Sequence, residues 1–309
     1  METDGLTNMC MIEKGIENNY FGGVIMFERI GEVVRTKCVG IDIFDNPLKA
    51  VEIKKGIYIN ESLENFYNLL DEKRKDLELQ DMIINSKYWE NDKVVKAMFK
   101  YARKGLGSTL GQVDLYVALP HQYSTNIYND TWKEKFLNSI TASKWRSIHL
   151  ISNYLCAAID SGVLINDKNQ ESIYEKCIFV YSTKWNTYVG LVFAGGDFNV
   201  EIINAGYDDI KLDQINNSII NILDKLSNTL PEMFLNNRIP KGELEVLHRS
   251  WAVPVQNKIY MTVPNKLRQV LGEELGSYQL IYSQDYNMCI LNGLSKIMGQ
   301  WWREKGIIL

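Results

Sequence analysis

The chain has 309 residues, of which 46% are hydrophobic and 23% are charged, and its formal net charge is −4. This length holds one large or two ordinary domains with a sizeable core, and the composition is that of a soluble globular protein. The mild negative charge and the lack of a long Lys/Arg run argue against nucleic-acid binding, which needs a concentrated basic face.

Other classes are excluded by local patterns. No apolar stretch reaches the roughly 18–20 residues of a membrane span, and the acidic, polar start METDGLTNMC does not resemble a signal peptide. We therefore expect a cytoplasmic protein. The five cysteines are odd in number and widely spaced, which is typical of small core residues in a reducing compartment. The three histidines lack ligand spacing, so no metal site is predicted, and His149 is expected to be a packed strand residue.

The first third of the chain is predicted to begin with strands and to continue with helices. Residues 8–44 have the pattern of three strands, with turns at 15–19 and 31–32. Residues 45–100 are charge-rich and are predicted to be helical. Helical spacing is clearest in 61–79 and in 91–107, where Asn91 is the expected N-cap and Gly105 the expected end.

The middle of the chain alternates apolar runs of strand length with helices, and this alternation predicts an α/β domain with a mixed sheet. The predicted elements are strand 113–120, helix 131–143, strand 147–152, helix 153–163, and three strands within 176–209 that turn at 183–186 and 195–197.

The last third is predicted to alternate in the same way. A helix at 205–226 is followed by one or two strands and a helix within 243–276, and Pro264 fits the first turn of that helix. A closing strand and a terminal helix are expected within 277–309.

The C-terminal tail is rich in large apolar side chains beside two basic residues. Such a tail is able to contact a partner groove or the inner face of a membrane. The alternative is that one tryptophan packs beneath the helix and the tail folds back. The apolar residues are Trp301, Trp302, Ile307, Ile308 and Leu309.

The order of the elements resembles the actin-like ATPase superfamily, and most closely the bacterial rod-shape-determining actins of the MreB family. Residues 118–120 stand where that family ends a strand in Val-Pro. Residues 150–159 resemble its strand that runs into an Ala-rich helix, and 180–187 resemble its strand and second phosphate turn. The resemblance implies an α/β fold of two lobes, actin/Hsp70-like and ribonuclease H-like, with mixed sheets flanked by helices.

The resemblance also implies domain boundaries. The first lobe would be 1–143, with a small subdomain at about 45–85, and the C-terminal helix 287–309 would complete it. The second lobe would be 144–286. In the family a small subdomain separates the Gly-Gly-Asp helix from a Pro-containing segment, but here 205–226 leads directly into 227–240. The second lobe is therefore expected to be reduced.

The first phosphate turn of the family, Asp-x-Gly-Thr-x-Asn-Thr, is matched here to residues 13–19. Gly15 and Asn18 agree with that pattern, whereas Glu13 stands for the Asp and Ile16 for the Thr. Glu17 adds a carboxylate where a polyphosphate would lie, which is unfavourable without an intervening cation. The segment is either an ordinary hairpin turn or a vestige of phosphate binding.

The second phosphate turn, Asp-Ile-Gly-Gly-Gly-Thr-Thr, is matched to residues 181–187. Tyr181 replaces the Asp, and no glycine remains at 183–185, although glycine lets a backbone approach phosphate closely. Lys184 is either a phosphate contact or a solvated lysine, and Asp208 stands where the family has Gly-Gly-Asp. The adenosine motif, matched to 259–264, also lacks glycine.

These replacements favour a non-catalytic cytoskeletal protein, either a filament subunit or an adaptor in bacterial cell shape or intracellular organisation. Self-association or an actin-like partner is expected, and no cofactor. The second hypothesis is a divergent ATPase that uses ATP and magnesium through Glu13, Lys184 and Asp208. The third is an unrelated α/β ligand-binding module.

Overall fold

A computed structural model gives the fold of the chain. It describes residues 37–44, 48–61, 88–107, 113–124, 130–141, 143, 145–163, 176–193, 196–235 and 255–304. Within these ranges the chain divides into two compact units. The N-terminal unit contains residues 37–153 and 294–304, and the C-terminal unit contains residues 154–293.

The N-terminal unit is built on a five-stranded mixed sheet. Its strands are β1 (Lys37–Asp42), β2 (Leu48–Glu52), β3 (Gly56–Glu61), β4 (Val113–Leu119) and β5 (Ser147–Ser152). The order across the sheet is β3-β2-β1-β4-β5. The first three strands form an antiparallel meander, while β4 and β5 run parallel to β1. The predicted boundary at 143/144 precedes β5, but β5 pairs with β4 and lies in this unit.

One face of this sheet is covered by helices. They are α1 (Asp92–Gly105), the single turn α2 (His121–Ser124) and α3 (Asp130–Thr141). The prediction for α1 is confirmed, because the Asn91 side chain accepts from the backbone N–H groups of Lys93 and Val94 at 2.9 and 3.3 Å. Alternate residues of the strands and the apolar stripes of α1 and α3 share one core.

The helical prediction is wrong for residues 48–61, which form β2 and β3. The strand β2 carries two charged side chains, Lys49 and Glu52, that are buried at 5% and 2% exposure. Charges usually mark a solvated face, so a charge-rich pattern predicts a surface helix. Both strands belong to the main sheet, although they fall within the range 45–85 assigned to a small subdomain. The strands predicted within 8–36 and the helix at 62–79 lie outside the described residues.

The C-terminal unit is built on a six-stranded mixed sheet. Its strands are β6 (Lys176–Ser182), β7 (Thr187–Phe193), β8 (Gly196–Ile203), β9 (Val255–Thr262), β10 (Glu274–Leu275) and β11 (Tyr278–Tyr282). The order is β10-β11-β9-β6-β7-β8. The strands β6, β7 and β8 form an antiparallel meander, and β9 and β11 run parallel to β6. The turn predicted at 183–186 is confirmed. Of the turn predicted at 195–197, residues 196 and 197 belong to β8, and residue 195 lies outside the described residues.

Helices lie on both faces of the second sheet. They are α4 (Asn153–Asp160), α5 (Leu212–Leu235) and α6 (Asn265–Leu271). A further helix, α7 (Cys289–Glu304), begins in this unit, and its residues from Leu294 onward belong to the N-terminal unit. The apolar sides of α5 and α6 pack on one face. On the other face, the Tyr154 ring of α4 contacts Phe179 edge-on, and its hydroxyl donates to the Phe179 carbonyl. None of the described helices has both the length and the apolarity that a bilayer crossing requires.

The two sheets share one topology. In each, a three-stranded antiparallel meander leads through a helix to a strand parallel to the first one, and a second parallel strand follows. The strand that opens each meander therefore ends at an equivalent place: β1 ends at Asp42 in the N-terminal unit, and β6 ends at Ser182 in the C-terminal unit.

Candidate functional site

The β6–β7 turn, residues 183–186, is closed by its own hydrogen bonds. The Thr183 hydroxyl oxygen accepts from the backbone N–H groups of Trp185 and Asn186 at 3.2 and 3.0 Å, and it donates to the Asn186 carbonyl at 3.0 Å. The Thr183 N–H donates to the same carbonyl at 2.8 Å. Three amides that could face a bound anion are therefore used inside the turn.

A neighbouring segment seals the turn from one side. The Tyr207 N–H donates to the Thr183 carbonyl at 2.9 Å. Gly206 lies so close that an added Cβ would come within 2.9 Å of the Thr183 carbonyl oxygen and still closer to that of Lys184. Tyr286 supports the end of β6, because its hydroxyl donates to the Ser182 carbonyl at 2.9 Å. Glycine is therefore needed at 206 for close packing of two backbone segments.

Lys184 and Trp185 form a unit at the tip of the turn. The Lys184 ammonium lies 5.0 Å from the centroid of the Trp185 ring, within the range of a cation–π contact. The tryptophan is partly exposed, at 37%. The side chain that could have reached a phosphate is thus held against an aromatic ring of its own turn.

Asp208 also has a partner within the C-terminal unit. Its carboxylate accepts a hydrogen bond at 2.6 Å from the Lys266 ammonium, at the start of α6. This hydrogen bond raises the pKa of Lys266 above its ordinary value. Both side chains are exposed, so the pair is screened by solvent. The contact ties the segment after β8 to the helix after β9.

The carboxyl ends of the parallel strands β6, β9 and β11 carry hydroxyl groups, and this is the edge at which α/β sheets bind ligands. Ser182 is satisfied by Thr187 at 2.7 Å, and Thr187 donates to the Ala205 carbonyl at 2.8 Å. The hydroxyls of Thr262 and Ser283 are buried and have no hydrogen-bond partner among the described residues.

The closure of the turn depends on the Thr183 hydroxyl. Thr183→Val removes one acceptor and one donor while keeping the shape, and we expect a loss of about 1–3 kcal/mol in the free energy of unfolding. Thr183→Ser keeps the hydroxyl and serves as the control, with a smaller loss. Urea unfolding followed by circular dichroism measures both. Equal stability of Thr183→Val and the wild type would contradict the closed turn.

The equivalent place in the N-terminal unit holds a residue that the sequence reasoning missed. Asp42 ends β1 and is 2% exposed, and its Oδ1 accepts the Phe44 N–H at 3.0 Å. The Phe44 ring is buried against Trp89 and Phe136, at centroid distances of 5.4 and 5.9 Å. The signal was present, since Asp45-Asn46-Pro47 after a buried strand is a turn sequence. The predicted residues Glu13, Gly15 and Asn18 lie outside the described ranges.

A second polar cluster lies at the amino ends of β4 and β5. Asp114 is 1% exposed and accepts from Arg146 through both carboxylate oxygens, and the Ser147 hydroxyl donates to its Oδ1 at 2.6 Å. Because that hydroxyl has one hydrogen, His149 Nε2, at 3.0 Å, must donate to the Ser147 oxygen. In a hydrolytic triad the serine hydroxyl faces the histidine as base. Here the Ser147 hydroxyl donates to the Asp114 carboxylate instead, so the cluster is a structural network.

His149 takes its predicted role within that cluster. It is 8% exposed and its ring stacks on Tyr116 in the neighbouring strand, at a centroid distance of 4.4 Å. Burial raises the pKa of the Tyr116 hydroxyl well above its usual value. The prediction of a packed strand histidine is confirmed.

Comparison with known proteins identifies the architecture. The crystal structure of MreB5 of Spiroplasma citri bound to ADP aligns with a TM-score of 0.53, covering 87% of this chain and 98% of that chain at 10% sequence identity. The chain has the actin-like ATPase fold. The predicted α/β class of mixed sheets flanked by helices is confirmed.

Two other actin-like structures show weaker similarity. The MamK double helical filament aligns with a TM-score of 0.49 and 10% identity over 85% of this chain and 99% of that chain. The apo psk41 ParM protein aligns with a TM-score of 0.46 and 11% identity over 88% and 99%. No family model and no curated protein matches the sequence. The similarity therefore resides in the actin-like fold and not in the sequence.

Proposed function

We propose that this actin-like protein does not hydrolyse nucleotide and acts in assembly, as a filament subunit or as an adaptor in bacterial cell shape or intracellular organisation. The observation that carries the proposal is the closed β6–β7 turn, in which Thr183 uses the amides of Trp185 and Asn186.

The physical argument starts from what phosphoryl transfer requires. Catalysis depends on a backbone cradle for the phosphates, a positioned magnesium ion and an ordered water. A cradle needs amides that point outward from a turn without side chains. In this turn the amides point inward, Trp185 occupies the tip, and Lys184 lies on that ring. Each of these features supports the proposal that the protein does not hydrolyse nucleotide.

The choice between subunit and adaptor rests on the reduced second lobe. Fold alone does not determine function. The sequence resemblance implies that actin-like filaments form through the faces of their subdomains, and the second lobe is expected to lack its small one. An adaptor on an actin-like filament tolerates that loss better than a self-polymer does. The fold sets aside the hypothesis of an unrelated ligand-binding module.

The alternative of a divergent ATPase is favoured by one residue. Asp42 is a buried carboxylate at the end of β1, directly before the first turn of the meander. The family pattern places its magnesium-ordering Asp at this kind of position, and the solved MreB5 structure holds ADP. Under this alternative Asp42 takes the role first assigned to Glu13, with Lys184 and Asp208 as further candidates.

Thermal unfolding of the full chain with and without Mg-ATP separates the two functions. A ligand at 100 times its dissociation constant stabilises a protein by about 2.7 kcal/mol, which raises the midpoint by several degrees at this size. We expect no rise, because the turn has no amides directed at a phosphate. Mg-ADP serves as a second probe, since a hydrolysis-deficient site still binds product.

A rise in the midpoint together with magnesium-dependent release of phosphate would overturn the proposal, and the loss of both in Asp42→Ala would establish the ATPase alternative. If the thermal midpoint does not rise, a sedimentation experiment distinguishes a filament subunit from an adaptor. A chain that pellets alone is a filament subunit, and one that pellets only with an MreB-type filament is an adaptor.

A further inference from the structure

A charged row crosses the edge of the six-stranded sheet in the C-terminal unit. The strand register places Gln279 of β11 between Lys258 of β9 and Glu274 of β10. Residues paired across neighbouring strands project from the same face of a sheet. The row therefore reads Lys-Gln-Glu across one face, with the backbones of the two charged residues separated by two strand spacings, roughly 10 Å.

The side chains of Lys258, Gln279 and Glu274 are exposed and are available for contact with a partner. None of them makes a hydrogen bond or an ion pair within the described part of the chain, and all three line an open groove of about 950 Å³. The structure records no ion pair between the lysine and the glutamate, whose positions are separated by the strand of Gln279. A surface with both signs and a central amide is complementary to a surface of the reverse order.

We propose that this row is a self-association surface for a second copy of the chain, related by a two-fold axis through Gln279. Rotation about that axis turns Lys-Gln-Glu into Glu-Gln-Lys, so each lysine meets the glutamate of the other copy and the two amides pair at the centre. A two-fold interface uses the same patch on both subunits and must be its own complement. The row is its own complement, so no second patch of different sequence is needed for the interface.

The register of the hairpin keeps the row in place. Leu275 of β10 is buried, and the Leu280 N–H donates to the Glu273 carbonyl at 2.9 Å, which fixes β10 against β11. The Tyr282 hydroxyl donates to the Gly272 carbonyl at 2.6 Å and secures the connection from α6. Little backbone ordering is therefore needed on association, which favours binding.

The proposed dimer surface rests on the proposed role in assembly, but a separate experiment tests it. Analytical ultracentrifugation of the full chain, from micromolar to hundreds of micromolar, measures the dimer at low and at high salt. Exposed ion pairs are screened by salt, so the dimer should weaken as salt rises. The variants are Lys258→Glu, Glu274→Lys and the double exchange, with the exposed Lys211→Glu as the charge-matched control for the first.

Each single variant carries two like charges in its row and should dimerise at least about fivefold more weakly than the wild type, because two attractive pairs become repulsive. The double exchange restores the pairing and should dimerise like the wild type. An equimolar mixture of the two single variants should form a heterodimer, because one row is basic and the other acidic. Lys211→Glu should leave the dimer unchanged.

Three results would overturn the inference: a wild type that stays monomeric over the whole range, single variants that dimerise like the wild type, or a mixture that stays monomeric. Thermal midpoints of all variants show that they are folded. The Mg-ATP experiment is unaffected by any of these outcomes, so the surface and the proposed function fail separately.

Discussion

Gly293→Ala is expected to lower the free energy of unfolding by about 3 kcal/mol or more, at or above the upper end for overpacking a core. Gly293 lies in α7 where that helix crosses α4. A Cβ at this position would come within 2.6 and 2.7 Å of the carbonyl carbon and Cα of Cys156, and closer still to its oxygen. The obstacle is backbone, which cannot rotate away as a side chain can, so the helices must separate.

The control is a glycine in the same helix. Gly299 has no heavy atom within 4 Å of an added Cβ. Alanine there should stabilise the helix by about 0.5–1 kcal/mol, because glycine loses more backbone freedom on folding. The two substitutions are chemically identical, so opposite signs in urea unfolding isolate the close helix crossing. A Gly293→Ala variant as stable as the wild type would show that α4 and α7 do not approach in this way.

Elements with a clear apolar period were predictable from the sequence. The strands β4 to β7 and the helix α1 lie within a few residues of their predicted ends, because apolar runs of strand length and a capping Asn91 are local signals. The small residues of α4 were predicted as a helix, but its close approach to α7 at Gly293 was not. That approach depends on two segments more than 130 residues apart, which no local pattern encodes.

The first meander was misplaced for a different reason. Its strand β2 carries buried Lys49 and Glu52, and a charged side chain in a strand interior contradicts the usual link between charge and exposure. The charge-rich pattern predicts a helix at 45–61 and a meander at 8–44, whereas the observed meander includes β2 and β3, and Asp42 ends its first strand. Burial of a charge depends on tertiary partners and cannot be inferred from its neighbours in the chain.

At the candidate site the sequence shows which residues of the family motif are replaced, but it does not predict how the turn is packed. The loss of glycine at 183–185 indicated a poor phosphate cradle. The hydrogen bonds of the Thr183 hydroxyl and the close contact of Gly206 could not be predicted, because they depend on the turn conformation and on the segment after β8. The salt bridge of Asp208 with Lys266 joins residues 58 positions apart.

Arg146→Met is expected to destabilise the N-terminal unit by about 3 kcal/mol, the lower end of the cost of breaking a buried ion pair. The substitution leaves the Asp114 carboxylate at 1% exposure, and the Ser147 hydroxyl continues to donate to it at 2.6 Å. The Arg146 side chain is 29% exposed, so water can replace part of the contact that is lost. Urea unfolding measures the change in free energy.

The double variant Asp114→Val/Arg146→Met tests whether the cost comes from the isolated charge. Replacing both members of a buried pair with apolar residues is often nearly neutral, because no ion is left without a partner. We therefore expect the double variant to be more stable than Arg146→Met alone. Lys225→Met breaks the exposed pair with Glu201 and should cost less than about 1 kcal/mol. If Arg146→Met is as mild as Lys225→Met, the carboxylate of Asp114 is solvated and the network does not hold β4 to β5.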